Sequence, residues 1–246
     1  RSGQVLDDLK GKSVFDLNAA LATEYAKERA ANPPKVDDFL HDLRHLVIPE
    51  DIPEFKAADA GTGSVSDQTI AVQKKLFTSG SGVPVPALLL QPNKGGKPAT
   101  LPIFVHDQGG AAVVGANGPA LKMAQSGKSV LTVDLRGYGE TAAALVKDGK
   151  PPTFGVEFKE SFLGLHLNRP LLGQRAADLL GVVNTFPKDP GVELHGFGSA
   201  GPVVLHAAAL NLRVKELTID GGLVSWDSVV RTPVSVNQLS NAVPGA

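Results

Sequence analysis

His195-Gly196-Phe197-Gly198-Ser199-Ala200-Gly201 is a glycine-dense turn set between a strand-like apolar run and an alanine-rich, helix-like run. It admits two incompatible readings. As a nucleophile elbow, it is a sharp strand-to-helix turn that lifts a reactive serine clear of the backbone. As Gly196-x-Gly198-x-x-Gly201, it is a dinucleotide-binding fingerprint, with Asp220 about 20 residues further on, where a ribose-binding carboxylate sits.

The order of the surrounding elements chooses between them. A hairpin pattern comes first: Ile70 to Phe77, a glycine-serine turn at 78–82, and Val83 to Leu90. Pro84 and Pro86 lack a ladder N–H, which places that part of the hairpin at a sheet edge. Strand and helix patterns then alternate: strand 101–106, helix 117–126, strand 129–134, helix 170–186, strand 191–195, helix 202–210 and strand 214–219. This alternation predicts an α/β fold, a mostly parallel sheet with helices on both faces. A dinucleotide fingerprint normally follows the first strand of its domain, with several strands still to come. Only 214–219 clearly follows here, so no nicotinamide or flavin cofactor is expected.

Residues 13–30 and 36–46 read as amphipathic helices closed by Pro33-Pro34 and Pro49, giving a helical appendage over 1–60. The Gly/Ser-rich stretch 61–66 reads as a linker into a main domain over 61–246. Within it, 139–170 has no clear period and reads as a cap-like insertion.

With 24 basic and 25 acidic residues, the chain has a formal net charge of −1 and no block of like charge, so neither nucleic acid nor an anionic membrane is an expected partner. The absence of cysteine removes disulfides, thiolate nucleophiles and cysteine-bound zinc. No apolar run approaches the roughly 20 residues of a membrane helix. His41 and His45, spaced by four, share a helix face as metal ligands require, but His-Asp-Leu-Arg-His lacks the glutamate of a zinc hydrolase and no third ligand is evident. No metal is expected.

Four features precede or accompany the elbow in a consistent order: the hairpin, His106-Asp107-Gln108-Gly109-Gly110 after one strand, Asp134-Leu135-Arg136-Gly137-Tyr138-Gly139 after the next, and the cap-like segment. Residues 68–240 thereby resemble the α/β-hydrolase superfamily. Arg169-Pro170-Leu171-Leu172-Gly173-Gln174-Arg175 with Asp178, His206 to Leu210, and Asp220 to Trp226 are similar to the acetyl xylan esterase-like carbohydrate esterases. The resemblance implies carboxylic ester hydrolysis, a small-molecule or carbohydrate ester as substrate, and a secreted or periplasmic setting. It places an oxyanion loop at His106, Gln108 and Gly109, with the Ala200 amide opposite, and elbow glycines at Gly196, Gly198 and Gly201.

The elbow departs from the Gly-x-Ser-x-Gly pattern. Aligned on Gly196, the nucleophile slot holds Gly198; aligned on Ser199, Gly201 fits but Phe197 crowds the turn. Ser199 is therefore a displaced candidate nucleophile or a serine that caps helix N–H groups. Asp220 and Asp227 are the candidate acids. No histidine follows His206 to serve as their partner, so the same resemblance also predicts a catalytically inactive binding or structural module. It further predicts a sheet truncated at its C-terminal edge, with strand 214–219 covered by another segment or chain.

Overall fold

A computed structural model describes residues 5–48, 50–80, 82–93, 100–143, 155–189, 191–232 and 238–245. The chain opens with three helices, α1 (Val5–Leu9), α2 (Val14–Ala31) and α3 (Val36–Val47). Ser13 starts α2 through a reciprocal capping box with Asp16: the Asp16 N–H donates to Ser13 Oγ and the Ser13 N–H to the Asp16 carboxylate. The apolar residues of α2 are not a core face, however. Val14, Leu17, Leu21 and Tyr25 all remain exposed, and only Val47 of α3 is buried.

The sheet begins earlier than the sequence pattern suggests. β1 (Phe55–Gly63) precedes β2 (Ile70–Ser79), β3 (Val85–Pro92) and β4 (Thr100–His106). Gly61 to Gly63 thus belong to a strand, not to a linker, and a register shift between Asp59 and Gly61 absorbs the glycine at φ +112°. Because β1 pairs with β2, the β2–β3 hairpin lies inside the sheet and not at its edge. Pro86 is tolerated because the ladder to the next strand starts only at Ala87, while the Pro86 carbonyl accepts from the Asp134 N–H at 2.8 Å.

The remaining elements are α4 (Ala111–Val114), α5 (Pro119–Gln125), β5 (Val130–Val133), α6 (Phe158–His166), α7 (Leu171–Asn184), β6 (Gly191–Phe197), α8 (Gly201–Ala209), β7 (Val214–Asp220) and α9 (Trp226–Val230). The strand order is β1-β2-β3-β5-β4-β6-β7. The first four are joined antiparallel, whereas β5, β4, β6 and β7 run parallel. Much of the segment 139–170 read as a cap-like insertion, namely 144–154, lies outside the described residues; its later part carries α6.

Strand pleating sends alternate residues of the central strands to two cores. Leu101, Ile103 and Val105 of β4 face α7 and α8, in a core shared with Leu131, Val133, Leu179 and Val203. Phe104 faces the opposite layer with Leu121 and Ala124 of α5. Helix α7 also fixes the chain that enters the sheet. A Cβ on Gly173 would stand 1.6 Å from the Val47 carbonyl oxygen, and one on Gly181 2.5 Å from the Pro53 carbonyl oxygen. Glycines two turns apart thus let Val47 and Pro53 lie against the helix.

Candidate functional site

The parallel strands β4, β5, β6 and β7 bring their C-terminal ends to one side of the sheet, where ligands bind in open α/β folds. Their last residues and the loops after them carry His106 and Asp107, Asp134 to Tyr138, Gly198 and Ser199, and Asp220 to Gly222.

The turn after β6 is a strand-to-helix elbow. A single 3₁₀ turn over Gly198–Ala200 passes directly into α8. Gly198 sits at its apex with φ +61°, the left-handed conformation that a side chain adopts only under strain. The flanking positions need small residues: a Cβ on Gly196 would lie 2.3 Å from Val204 Cγ2, and one on Gly201 2.7 Å from Ile219 Cγ2. The left-handed backbone puts Gly198 at the apex of the turn, with Ser199 one residue beyond it, while the tight contacts at Gly196 and Gly201 fit either alignment of the elbow pattern.

The space in front of Gly198 belongs to Asp107. An ideal Cβ on Gly198 would be 2.2 Å from Asp107 Oδ2. That same oxygen accepts the Ser199 backbone N–H at 2.8 Å. A carboxylate at the start of a helix, taking a free N–H, is electrostatically favourable. Sequence inspection missed Asp107; the one available signal was its place in the loop expected to face the elbow.

The other amides of that loop are also engaged. Gln108 N–H donates to His106 Nδ1 at 2.9 Å, Gly109 N–H to the His106 carbonyl at 2.9 Å, and Gly110 N–H to Asp134 Oδ1 at 2.6 Å. His106 Nδ1 also lies 3.1 Å from Asp107 Oδ1. It can accept from Gln108 or, protonated, donate to Asp107, but not both. The ring stacks on Phe197, with centroids 5.6 Å apart.

Asp134 ties two turns together, since its second oxygen accepts the Glu140 N–H at 2.8 Å. Gly109 and Gly139 approach so closely there that a Cβ on Gly109 would be 2.4 Å from Gly139 Cα. Arg136 makes a two-pronged pair with Asp178, Nε to Oδ2 at 2.6 Å and Nη2 to Oδ1 at 2.7 Å, and its Nη1 donates to Gln174. Burial pushes the Asp178 carboxyl above the usual carboxylate range, with the Arg136 guanidinium opposing that shift. Arg175, fully buried, lies 3.9 Å over the Tyr138 ring, donates to the Arg136 carbonyl and pairs with Glu157. Tyr138 closes the network: its hydroxyl donates to the Ser199 carbonyl at 3.2 Å and lies 3.4 Å from Ser199 Oγ. Burial raises the pKa of that hydroxyl.

The candidate acids and histidines are dispersed. Asp220 ends β7 and is exposed, in register with Phe197. Asp227 lies on exposed α9, where both oxygens accept from Arg231 Nε at 2.8 Å. His195 is buried in the sheet and stacked on Phe104, and His206 Nδ1 bonds the Pro202 carbonyl within its own helix at 2.6 Å. Neither ring meets Ser199. Ala200 is buried.

Among solved structures, a putative acetyl xylan esterase from Bacteroides fragilis superposes with a TM-score of 0.56 at 16% identity, over 74% of this chain and 51% of its own. A glucuronoyl esterase from Solibacter usitatus gives a TM-score of 0.50 at 15% identity, over 80% of this chain and 60% of its own. The fold is that of the α/β hydrolases. This α/β-hydrolase-fold chain spans only about half to three-fifths of the length of those two proteins. No protein-family model matches its sequence. No curated protein matches it either. Among the described residues, no helix is long and apolar enough to cross a membrane.

Proposed function

We propose that this chain is an esterase-like α/β-hydrolase module that has lost its elbow nucleophile and serves as a binding or structural unit. One observation carries the reading. The apex of the elbow is a glycine, and the volume its side chain would need is held by the Asp107 carboxylate, which also takes the Ser199 N–H. An oxyanion forming there would meet a negative charge instead of a free donor, the reverse of what stabilises acyl-transfer transition states. The fold and the names of its structural neighbours point to a small-molecule or carbohydrate ester as the ligand class. In the working protein, we infer, the exposed β7 edge is paired by another segment or chain.

A second reading has its own support. Ser199 Oγ is half-buried beside the Tyr138 hydroxyl, a polar neighbour within 3.4 Å. Weak ester hydrolysis through Ser199 would use it as a displaced nucleophile whose proton passes to water, since His195 and His206 are engaged elsewhere, with Asp220 or Asp227 as the candidate acid.

Hydrolysis of p-nitrophenyl acetate and of acetylated xylo-oligosaccharides, measured for the wild type and Ser199→Ala, separates the two. The binding-module reading expects equal and marginal rates, together with saturable oligosaccharide binding by calorimetry. A rate that falls about 1,000-fold or more in Ser199→Ala establishes the second reading and ends the first.

A further inference from the structure

We propose that His41 and His45 form a chelating site for a borderline divalent transition ion such as Zn²⁺ or Ni²⁺ on the outer face of α3. The two rings, one helical turn apart, converge: Nε2 of one lies 3.2 Å from Nε2 of the other, with ring centroids 4.4 Å apart. Two imidazole nitrogens bound to one ion at about 2.0–2.1 Å, with ligand angles between a right angle and the tetrahedral value, stand roughly 2.9–3.4 Å apart. The spacing therefore needs no rearrangement of the helix to admit an ion between the nitrogens. Both residues are exposed, which leaves room for the ion and its remaining ligands.

Neutral imidazole suits zinc, copper and nickel, whereas calcium and magnesium demand oxygen ligands. The carboxylate of Asp42 lies 3.8 Å from His41 Nδ1, beyond hydrogen-bond distance, and adds negative charge beside the ring. Asp37, one turn before His41 on the same stripe, adds negative charge to the approach. Among the described residues, no group of three or more histidine or acidic side chains is gathered for a metal. The chain therefore supplies two ligands, and water or an external donor completes the shell. Without metal, one ring donates its Nε2–H to the other.

Zinc titration of the intact chain by calorimetry at pH 7.5 tests this. The expected result is one equivalent bound by the wild type, with affinity reduced at least about tenfold by His41→Ala and equally by His45→Ala, since losing either ligand abolishes the chelate. The double substitution is expected to bind no more tightly than either single one. All three changes lie on an exposed helix face and leave the core intact, which circular dichroism verifies. Absence of zinc binding by the wild type, its survival in the double variant, or its loss in only one single variant overturns the proposal; His166, exposed on α6, would account for the second of these.

Discussion

Asp107 Oδ2 accepts the backbone N–H of Ser199 across 2.8 Å, joining the loop after β4 to the elbow after β6 at the spot where a hydrolase presents its nucleophile. The contact explains in one stroke why residue 198 is glycine. A methyl group there would be 2.2 Å from that carboxylate oxygen, on a backbone already at φ +61°.

Restoring a serine by Gly198→Ser alone is accordingly expected to destabilise the fold by about 1–3 kcal/mol and to yield no ester hydrolysis. Adding Asp107→Ala removes the obstructing carboxylate and recovers part of the loss. Urea unfolding of the wild type and of the single and double variants measures both steps. A Gly198→Ser protein as stable as the wild type would mean that Asp107 does not hold the space in front of the elbow.

The same carboxylate bears on the dinucleotide reading of the glycine turn. A pyrophosphate at the start of α8 would compete with Asp107 for the Ser199 N–H and lie against its charge. Titration with NAD, NADP or FAD is expected to show no saturable binding. Micromolar affinity that disappears in Gly198→Val would reverse this and move the chain to a different functional class.

Much of this was legible because local and tertiary signals agreed. The runs that became β4, β5 and β6 are short, apolar and punctuated by glycine or proline, as strands buried on both faces must be. β1 was not legible: Phe55-Lys56-Ala57-Ala58-Asp59-Ala60-Gly61-Thr62-Gly63 carries few branched or aromatic residues, no apolar alternation and a bulge, and it is held chiefly by pairing with β2. The exposed stripe of α2 misled in the opposite direction, since periodicity reports a helix but not whether anything covers it. At the site, the elbow could be read from its glycines alone. Asp107 could not be assigned its role, because the contact spans 92 positions and depends on β4 and β6 being sheet neighbours.

Gly173 and Gly181 offer a test of how the N-terminal segment is anchored. Gly173→Ala places a methyl group against the Val47 carbonyl, and Gly181→Ala does the same against Pro53 and Phe55. Helix propensity alone favours alanine by roughly 1 kcal/mol, so destabilisation in either variant reports the tertiary contact and not the helix. The expected net loss is about 1–3 kcal/mol for overpacking, larger at 173, by thermal or urea unfolding. A stabilised Gly173→Ala protein would show that the Val47 carbonyl does not pack on α7.

The Arg136–Asp178 pair is nearly closed off from water on the carboxylate side, the Asp178 side chain being 1% exposed. Asp178→Ala leaves the guanidinium without its planar partner and is expected to cost about 3–5 kcal/mol. Exchanging both for apolar residues, Arg136→Met with Asp178→Leu, removes the unpaired charge and is expected to cost clearly less than the single change. A double variant as unstable as Asp178→Ala would locate the loss in packing, or in the Gln174 contact, and not in the stranded charge.

Acid sensitivity follows from two imidazoles withdrawn from water, His195 buried and His206 half-buried. Burial holds the pKa of His195 below its ordinary value, with Glu193 and Glu216 opposing, and burial does the same at His206 against the Pro202 carbonyl. Among the described residues His195 Nε2 has no hydrogen-bond partner, and the nearest Glu193 oxygen is 3.7 Å away, so a proton placed there gains little. With folded values below the unfolded value of about 6.5, the unfolded chain binds more protons between them, and stability rises with pH across that interval. The contribution is complete above about pH 6.5 and is lost as the pH falls through the folded values. Unfolding free energies measured from pH 7.5 down to 5 are expected to decline for the wild type. His195→Phe, which keeps the stacking on Phe104 while removing the titrating nitrogen, should flatten the decline, and His206→Leu should flatten it further. The acidic side chains that titrate below this range are common to all three proteins, so the difference in slope isolates the imidazoles. Equal slopes in the three proteins would show that neither histidine is kept neutral by the fold.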